Sequence, residues 1–197
     1  CLVAIVAALF PSLFATDDPF ALAMGQRLKP PSPEAWFGTD ELGRDLFSRV
    51  MHGVRLSLGS ALGVVLLTAL VGIPIGILAG YLGGWVDTAL MRLADMFIAF
   101  PSLIMAMAIV TVLGPGLTNA MIALALVWWP QYARLARGQV LQLREMQYVE
   151  AAGALGATSG RIMSRHLLPN SLTPRAVKMS GGGSLAILTT SSFSFLG

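Results

Sequence analysis

"LSLGSALGVVLLTALVGIPIGILAGYL", residues 56–82, carries no charged residue. At ~1.5 Å per residue it makes a helix of about 40 Å, longer than the ~30 Å hydrocarbon core of a bilayer. A run of this kind can also be the core helix of a soluble protein, but then polar helices must wrap it. The 197-residue chain is 55% hydrophobic and only 12% charged, against roughly a quarter charged in soluble domains. It has too few polar residues to wrap its apolar ones. Charge is absent from Leu56 to Val86, from Met96 to Ala133 and from Met179 to Gly197. The expected fold is therefore all-α: a polytopic membrane helical bundle of about five spans. These are Cys1–Ala15 (incomplete), 56–82, Met96–Leu113, Ala120–Ala136 with a kink at Pro130, and one from Met179 onward. The chain starts inside an apolar run and stops without a polar tail. Residues 1–197 thus read as a single transmembrane domain of a longer protein, truncated at both ends.

Inside 56–82, Gly72, Gly76 and Gly80 recur at every fourth position, with Pro74 between them. Residues four apart share one helix face. Glycines there let a second backbone approach, which is how helices pack where lipid removes the hydrophobic drive. These three are the candidate packing residues, and sequence leaves open whether the facing helix is internal or in a partner subunit.

Upstream, 16–33 is a Pro- and Asp-rich loop. From Asp40 the apolar residues Leu42, Leu46, Val50 and Val54 follow a helical period. Asp40 lies four before Arg44 and Asp45 four before Arg49, the spacing of helical ion pairs. The expectation is an amphipathic interfacial helix leading into the 56–82 span. Downstream, "GGWVDTALMRLADMF" (83–97) reads as a glycine-broken polar turn with Trp85 at the interface.

Residues 130–178 carry Arg134, Arg137, Arg144, Arg161, Arg165, Arg175 and Lys178 against Glu145 and Glu150. An excess of Lys and Arg marks the cytoplasmic side. In this region "EAAGALGATSGRIMSRHLLPN" (150–170) reads as two helices. The first runs from Val140 through Ala151 and Ala152, weakened by Gly153 and ended near Gly156. Thr158 or Ser159 caps the second, which stops at Pro169. Small Ala151, Ala152 and Ala154 beside Glu150, Arg161 and Arg165 give a small apolar centre with a charged rim, the anatomy of a docking surface.

Other functions fit poorly. "GALGATSGR" lacks the Gly-x4-Gly-Lys-Ser/Thr spacing and preceding strand of a phosphate loop. A DNA-reading helix pair between two spans has no access to a groove, so no nucleic acid is expected. A single Cys1 excludes an internal disulfide and a cysteine zinc site, and His52 and His166 are too far apart in sequence to suggest a metal. No acid, His or Ser–Lys dyad stands mid-span, so an intramembrane enzyme is not indicated.

"EAAGALG" followed by "RHLLPN" resembles the EAA loop of permease subunits in ATP-binding-cassette importers: Glu-Ala-Ala, three residues, Gly, nine residues, Ile-x-Leu-Pro. Glu150, Ala151, Ala152, Gly156, Leu168 and Pro169 fall on it without a gap. His166 in place of Ile, with Asn170 after the proline, is similar to the dipeptide/oligopeptide/nickel branch. So are "FGTDELGRDLFSR", "GYLGGWVDTALMRLAD", "AFPSL" and "LGPGLTN". Thr190 departs from the branch, which often has an acid there, and the family continues past Gly197 by another crossing.

The resemblance implies a transport subunit, not an enzyme, in a bacterial-type inner membrane with the EAA loop cytoplasmic. It implies a second permease subunit, cytoplasmic ATP-binding subunits and an extracytoplasmic substrate-binding protein as partners, besides the lipid bilayer. No cofactor is expected in this chain, since ATP and Mg belong to the ATPase subunits. Di- or oligopeptides are the expected substrates. Nickel or glutathione-like ligands, or an inactive scaffold, are the alternatives. The residues carried over as the ATPase-coupling loop are Glu150, Ala151, Ala152, Gly153, Leu155, Gly156, Ala157, Arg161, His166, Leu168, Pro169 and Asn170.

Overall fold

The structure, a computed structural model, describes residues 6, 18, 20–170 and 182–190, without the side chains of 153, 166 and 170. Among these residues there is no strand, only an isolated bridge between Thr39 and Asp45. The order is α1 (Leu46–Leu82), α2 (Gly84–Ala99), α3 (Ser102–Leu113), α4 (Leu117–Leu143), α5 (Gln147–Ala154), α6 (Ser159–Ile162), a π-turn (Met163–Leu167) and α7 (Leu168–Asn170). Residues 182–190 are also helical. By its internal contacts the chain separates into two compact units, Cys1–Ser60 and Ala61–Gly197.

In the first unit the expected helix from Asp40 begins later, at Leu46. Asp40 is used instead to close a turn. Its Oδ1 accepts the backbone N–H groups of Leu42 (2.8 Å) and Arg44 (2.9 Å), and its Oδ2 pairs with Arg44 (2.8 Å) and Arg49 (2.5 Å). Desolvation pushes this carboxyl up, but the N–H donors of Arg44 and Leu42 and the Arg44 guanidinium outweigh it. The group sits at about 2, below its ordinary 3.8. Asp45 is then the helix cap, its Oδ2 accepting the Ser48 N–H at 2.9 Å, three residues on. Gly43 has φ +76, and a Cβ there would strike the Ala23 carbonyl. Phe47, on the first turn of α1, is buried between the rings of Trp36 (4.9 Å) and Phe37 (5.2 Å).

In the second unit α4 is the axis. Ala61, Val64 and Val65 of α1, Ala106 of α3 and Leu124 and Val127 of α4 form one buried cluster with Ala186. The glycine face of α1 also lies on α4. A Cβ on Gly72 would stand 2.5 Å from the Trp129 carbonyl oxygen, and one on Gly76 would overlap the Ala133 carbonyl. One on Gly80 would meet the Arg137 carbonyl and Val140 at 3.0 Å. The facing helix of this stripe is thus internal.

The expected third span from Met96 is not one helix. Residues 84–99 and 102–113 are separate helices bent by 92°. Pro101 supplies no N–H and drives Phe100 into extended geometry, φ −94 and ψ 144. The expected polar turn 83–97 is likewise mostly helix, with only Gly83 (φ +66) breaking it from α1. Its two carboxylates are met by α4. Arg137 grips Asp87 with two N–H groups, the Nη2–Oδ2 contact being 2.5 Å, and Arg134 pairs with Asp95. Next to these pairs Ala94 packs on Trp129 and Ala133, and Phe97 meets the Trp129 ring edge-on at 5.6 Å.

Among the described residues, one helix, α1, is long and apolar enough to cross a membrane, and the α2–α3 pair passes the same test only if its two halves count as one span. At 27 residues α4 has the length, but Asn119, Gln131, Arg134, Arg137 and Gln139 lower its apolarity. The expected span Cys1–Ala15 lies outside the described residues except for Val6, as does that from Met179 except for 182–190.

Candidate functional site

The helix expected to run unbroken from Val140 to Gly156 stops at Leu143. Arg144 to Met146 turn the chain, with the Met146 N–H donating to the Leu143 carbonyl at 3.1 Å. Arg144 sends Nη1 to the Gly80 carbonyl at 3.3 Å. That carbonyl belongs to the last turn of α1, where backbone acceptors lack helical partners and a cation is favoured. The turn is therefore tied to the end of α1 as well as to α4.

The short helix α5 follows and ends in a Schellman arrangement. The Ala157 N–H donates to the Ala152 carbonyl at 3.0 Å, and Gly156, between them, has φ +81. No heavy atom would lie within 4 Å of a Cβ on Gly156, so the need for glycine here is conformational, not steric. Thr158 then caps α6, its hydroxyl oxygen accepting the Arg161 N–H at 3.4 Å.

The proline expected to stop the second helix does not stop it. Pro169 lies inside α7. In a regular helix its ring would clash with the carbonyl four residues back. Here the preceding turn is widened to π geometry, with the Leu168 N–H bonding five residues back to the Met163 carbonyl. The extra residue per turn makes room for the ring.

The loop has two faces. Val149, Ile162 and Leu167 are buried against Ile77 of α1 and Val140 of α4, with Ala157, Met163, Ile73, Tyr81 and Leu143 packed around them. The other face is bare. Glu150, Ala151, Ala154 and Gly156 are exposed, and Leu155 at the tip is 88% exposed. Ala152 is half-buried, and Arg161, Leu168 and Pro169 are exposed. The structure thus brings Glu150, Ala151, Leu155 and Gly156 onto one outer edge. The side chains of Gly153, His166 and Asn170 lie outside the described residues. Sequence reasoning missed the residues that seat the loop, Arg144 and Ile77. Arg144 reads as one more positive charge, and Ile77 as one more apolar residue of a span.

A cavity of 430 Å³ opens between α2 and α4, lined by Asp87, Thr88, Met91, Arg92, Asp95, Arg134 and Arg137. Four of its five charged residues face one another as the pairs Asp87–Arg137 and Asp95–Arg134, and Arg92 adds a further positive charge to the lining.

The sequence pattern of the family described as "Binding-protein-dependent transport system inner membrane component" matches residues 72–197. The chain is 43% identical over 193 residues to the dipeptide transport system permease protein DppC of Alkalihalophilus pseudofirmus, covering 98% of this chain and 64% of that one. It is 45% identical over 189 residues to the probable D,D-dipeptide transport system permease protein DdpC of Escherichia coli, covering 96% and 63%. To the nickel transport system permease protein NikC of Escherichia coli it is 47% identical over 150 residues, covering 76% and 54%. The chain therefore spans somewhat less than two thirds of the length of these relatives.

Proposed function

The chain belongs to the binding-protein-dependent transport system inner membrane components, and from that premise we propose that it is a permease subunit of an ATP-binding-cassette importer for di- or oligopeptides. A second permease subunit completes the pathway, cytoplasmic ATPase subunits hold ATP and Mg, and an extracytoplasmic protein delivers the substrate. Loop 147–170 faces the cytoplasm and seats in the ATPase. This chain contributes no catalytic group.

The observation that carries this reading is the division of the loop into a buried face and a bare edge. An 88% exposed Leu155 beside Ala151 and Gly156 is an apolar tip with no cover of its own. The other face is locked to α1 and α4. A segment built this way transmits force: it is stiff toward the spans and open toward a partner. Glu150 adds a carboxylate at the rim for a basic residue of the partner.

Glu150→Lys reverses that rim charge. Gly156→Val puts a β-branched residue at φ +81, a conformation such residues rarely adopt. Both variants should insert normally, lose the ATPase subunits on co-purification and lose uptake. Normal association and uptake in both would refute the reading. The ligand retained by the cognate binding protein decides the substrate. A peptide supports the proposal, and nickel or glutathione replaces that part of it.

A further inference from the structure

We propose that the ion pairs Asp87–Arg137 and Asp95–Arg134 are a joint that makes α2 follow α4, so that displacement of the 147–170 loop reaches the bent α2–α3 segment; this rests on the coupling reading above. The loop is fastened to the ends of α1 and α4 by Ile77, Val140, Val149, Ile162 and Leu167. Arg144 adds the bond to Gly80. Movement of the loop is therefore movement of α1 and α4 together, because their glycine seam leaves no gap for sliding.

Helix α2 stands outside that block. It joins α1 through Gly83 and Gly84, both at positive φ, which is a flexible connection. At its other end it bends through 92° into α3. Its apolar grip on α4 is one patch, Met91, Ala94 and Phe97 against Trp129 and Ala133. Alongside that patch a 430 Å³ cavity opens between the two helices, and the ion pairs lie on its border, one on each side of Met91 along α2.

The two pairs are spaced eight residues apart on α2 but three on α4. A single bridge would let one helix pivot about the other; two at different heights fix both position and angle. The Asp87–Arg137 pair is bidentate and the more shielded, its side chains 17% and 34% exposed. It is the main fastening, and the more exposed Asp95–Arg134 pair sets the angle. These residues are positioning residues, since none is required to touch substrate.

The test uses the full-length permease assembled with its partner subunits in lipid nanodiscs. Spin labels are placed at Leu93→Cys on α2 and Gly138→Cys on α4, in a permease freed of its native cysteines, Cys1→Ser included. With native ion pairs, the label separation should stay within about 2 Å between nucleotide-free and ATP-bound states, the scale of helix adjustment rather than of a one-turn shift. Any larger change overturns the proposal. In Asp87→Asn/Asp95→Asn the separation should become state-dependent. Substrate moved per ATP hydrolysed should fall by about tenfold, within the range of ordinary coupling energies. The ATPase subunits should still co-purify, which separates this outcome from failure of the coupling loop itself. The exchange Asp87→Arg with Arg137→Asp should restore transport to within about twofold. Unchanged transport in the Asn variant, loss of the ATPase subunits from it, or an assembled exchange variant without recovery would each refute the joint.

Discussion

Helix α4 is held on two sides by different means. Toward α1 it meets glycines, backbone against backbone, with Gly72, Gly76 and Gly80 over Trp129, Ala133 and Arg137. Toward α2 it meets an apolar patch of Met91, Ala94 and Phe97 and, interleaved with it, two ion pairs bordering a cavity. The first seam depends on shape and tolerates no added atom. The second depends on charge and has room around it. A close backbone seam is a permanent weld, because any displacement opens a void that nothing fills. An ion-pair seam holds geometry but can be altered by one charge. A helix that must carry motion can use both: the weld to collect force and the bridges to pass it on.

The sharpest way to break the comparison is Gly76→Leu. The side chain would have to displace the Ala133 carbonyl and the Ala136 methyl, the latter 2.7 Å from its Cβ. Overpacking against backbone should cost about 3 kcal/mol, the upper end of the usual range, read as a large fall in the unfolding midpoint in detergent. A well-folded variant would mean the seam is not tight. Phe97→Ala probes the apolar part of the other seam. It removes a half-buried ring from the Trp129 edge and should cost about 1–3 kcal/mol, measured the same way. An equal or larger loss than for Gly76→Leu would reverse the ranking of the two seams. The smallest effect, of opposite sign, is expected for Gly138→Ala. This α4 glycine is exposed and a Cβ would meet nothing within 4 Å. Helix propensity alone should then stabilise by up to about 1 kcal/mol. Destabilisation would show that α4 has a third contact face.

The sequence made the weld legible and hid the bridges. Spacing at 72, 76 and 80 announces a close face whatever lies opposite. The turn at Gly156 and the cap at Thr158 could be read for the same reason: local chemistry sets them within a few residues. The pairs Asp87–Arg137 and Asp95–Arg134 join residues 50 and 39 apart, and no local pattern encodes such a partner. Seen alone, Asp87, Arg92 and Asp95 look like a polar turn. With Arg134 and Arg137 opposite, they are a helix face. Asp40 shows the converse error. Its spacing to Arg44 is helical and their ion pair forms, yet the carboxylate closes a turn and leaves capping to Asp45. Around Pro169 the residue type was read correctly as a helix breaker, but a widened turn before it absorbs the ring.

The bend at Phe100–Pro101 bears on how this protein is made. Helices α2 and α3, with 16 and 12 residues, reach only about 24 and 18 Å, and neither crosses a ~30 Å hydrocarbon layer alone. The carbonyls that end α2 have no helical partner, and facing lipid they would be costly. Both halves of the bent pair find their apolar cover on α4, α2 through Ala94 and α3 through Ala106, and α4 follows them in the chain, so the native bend is complete only once α4 is there to receive it.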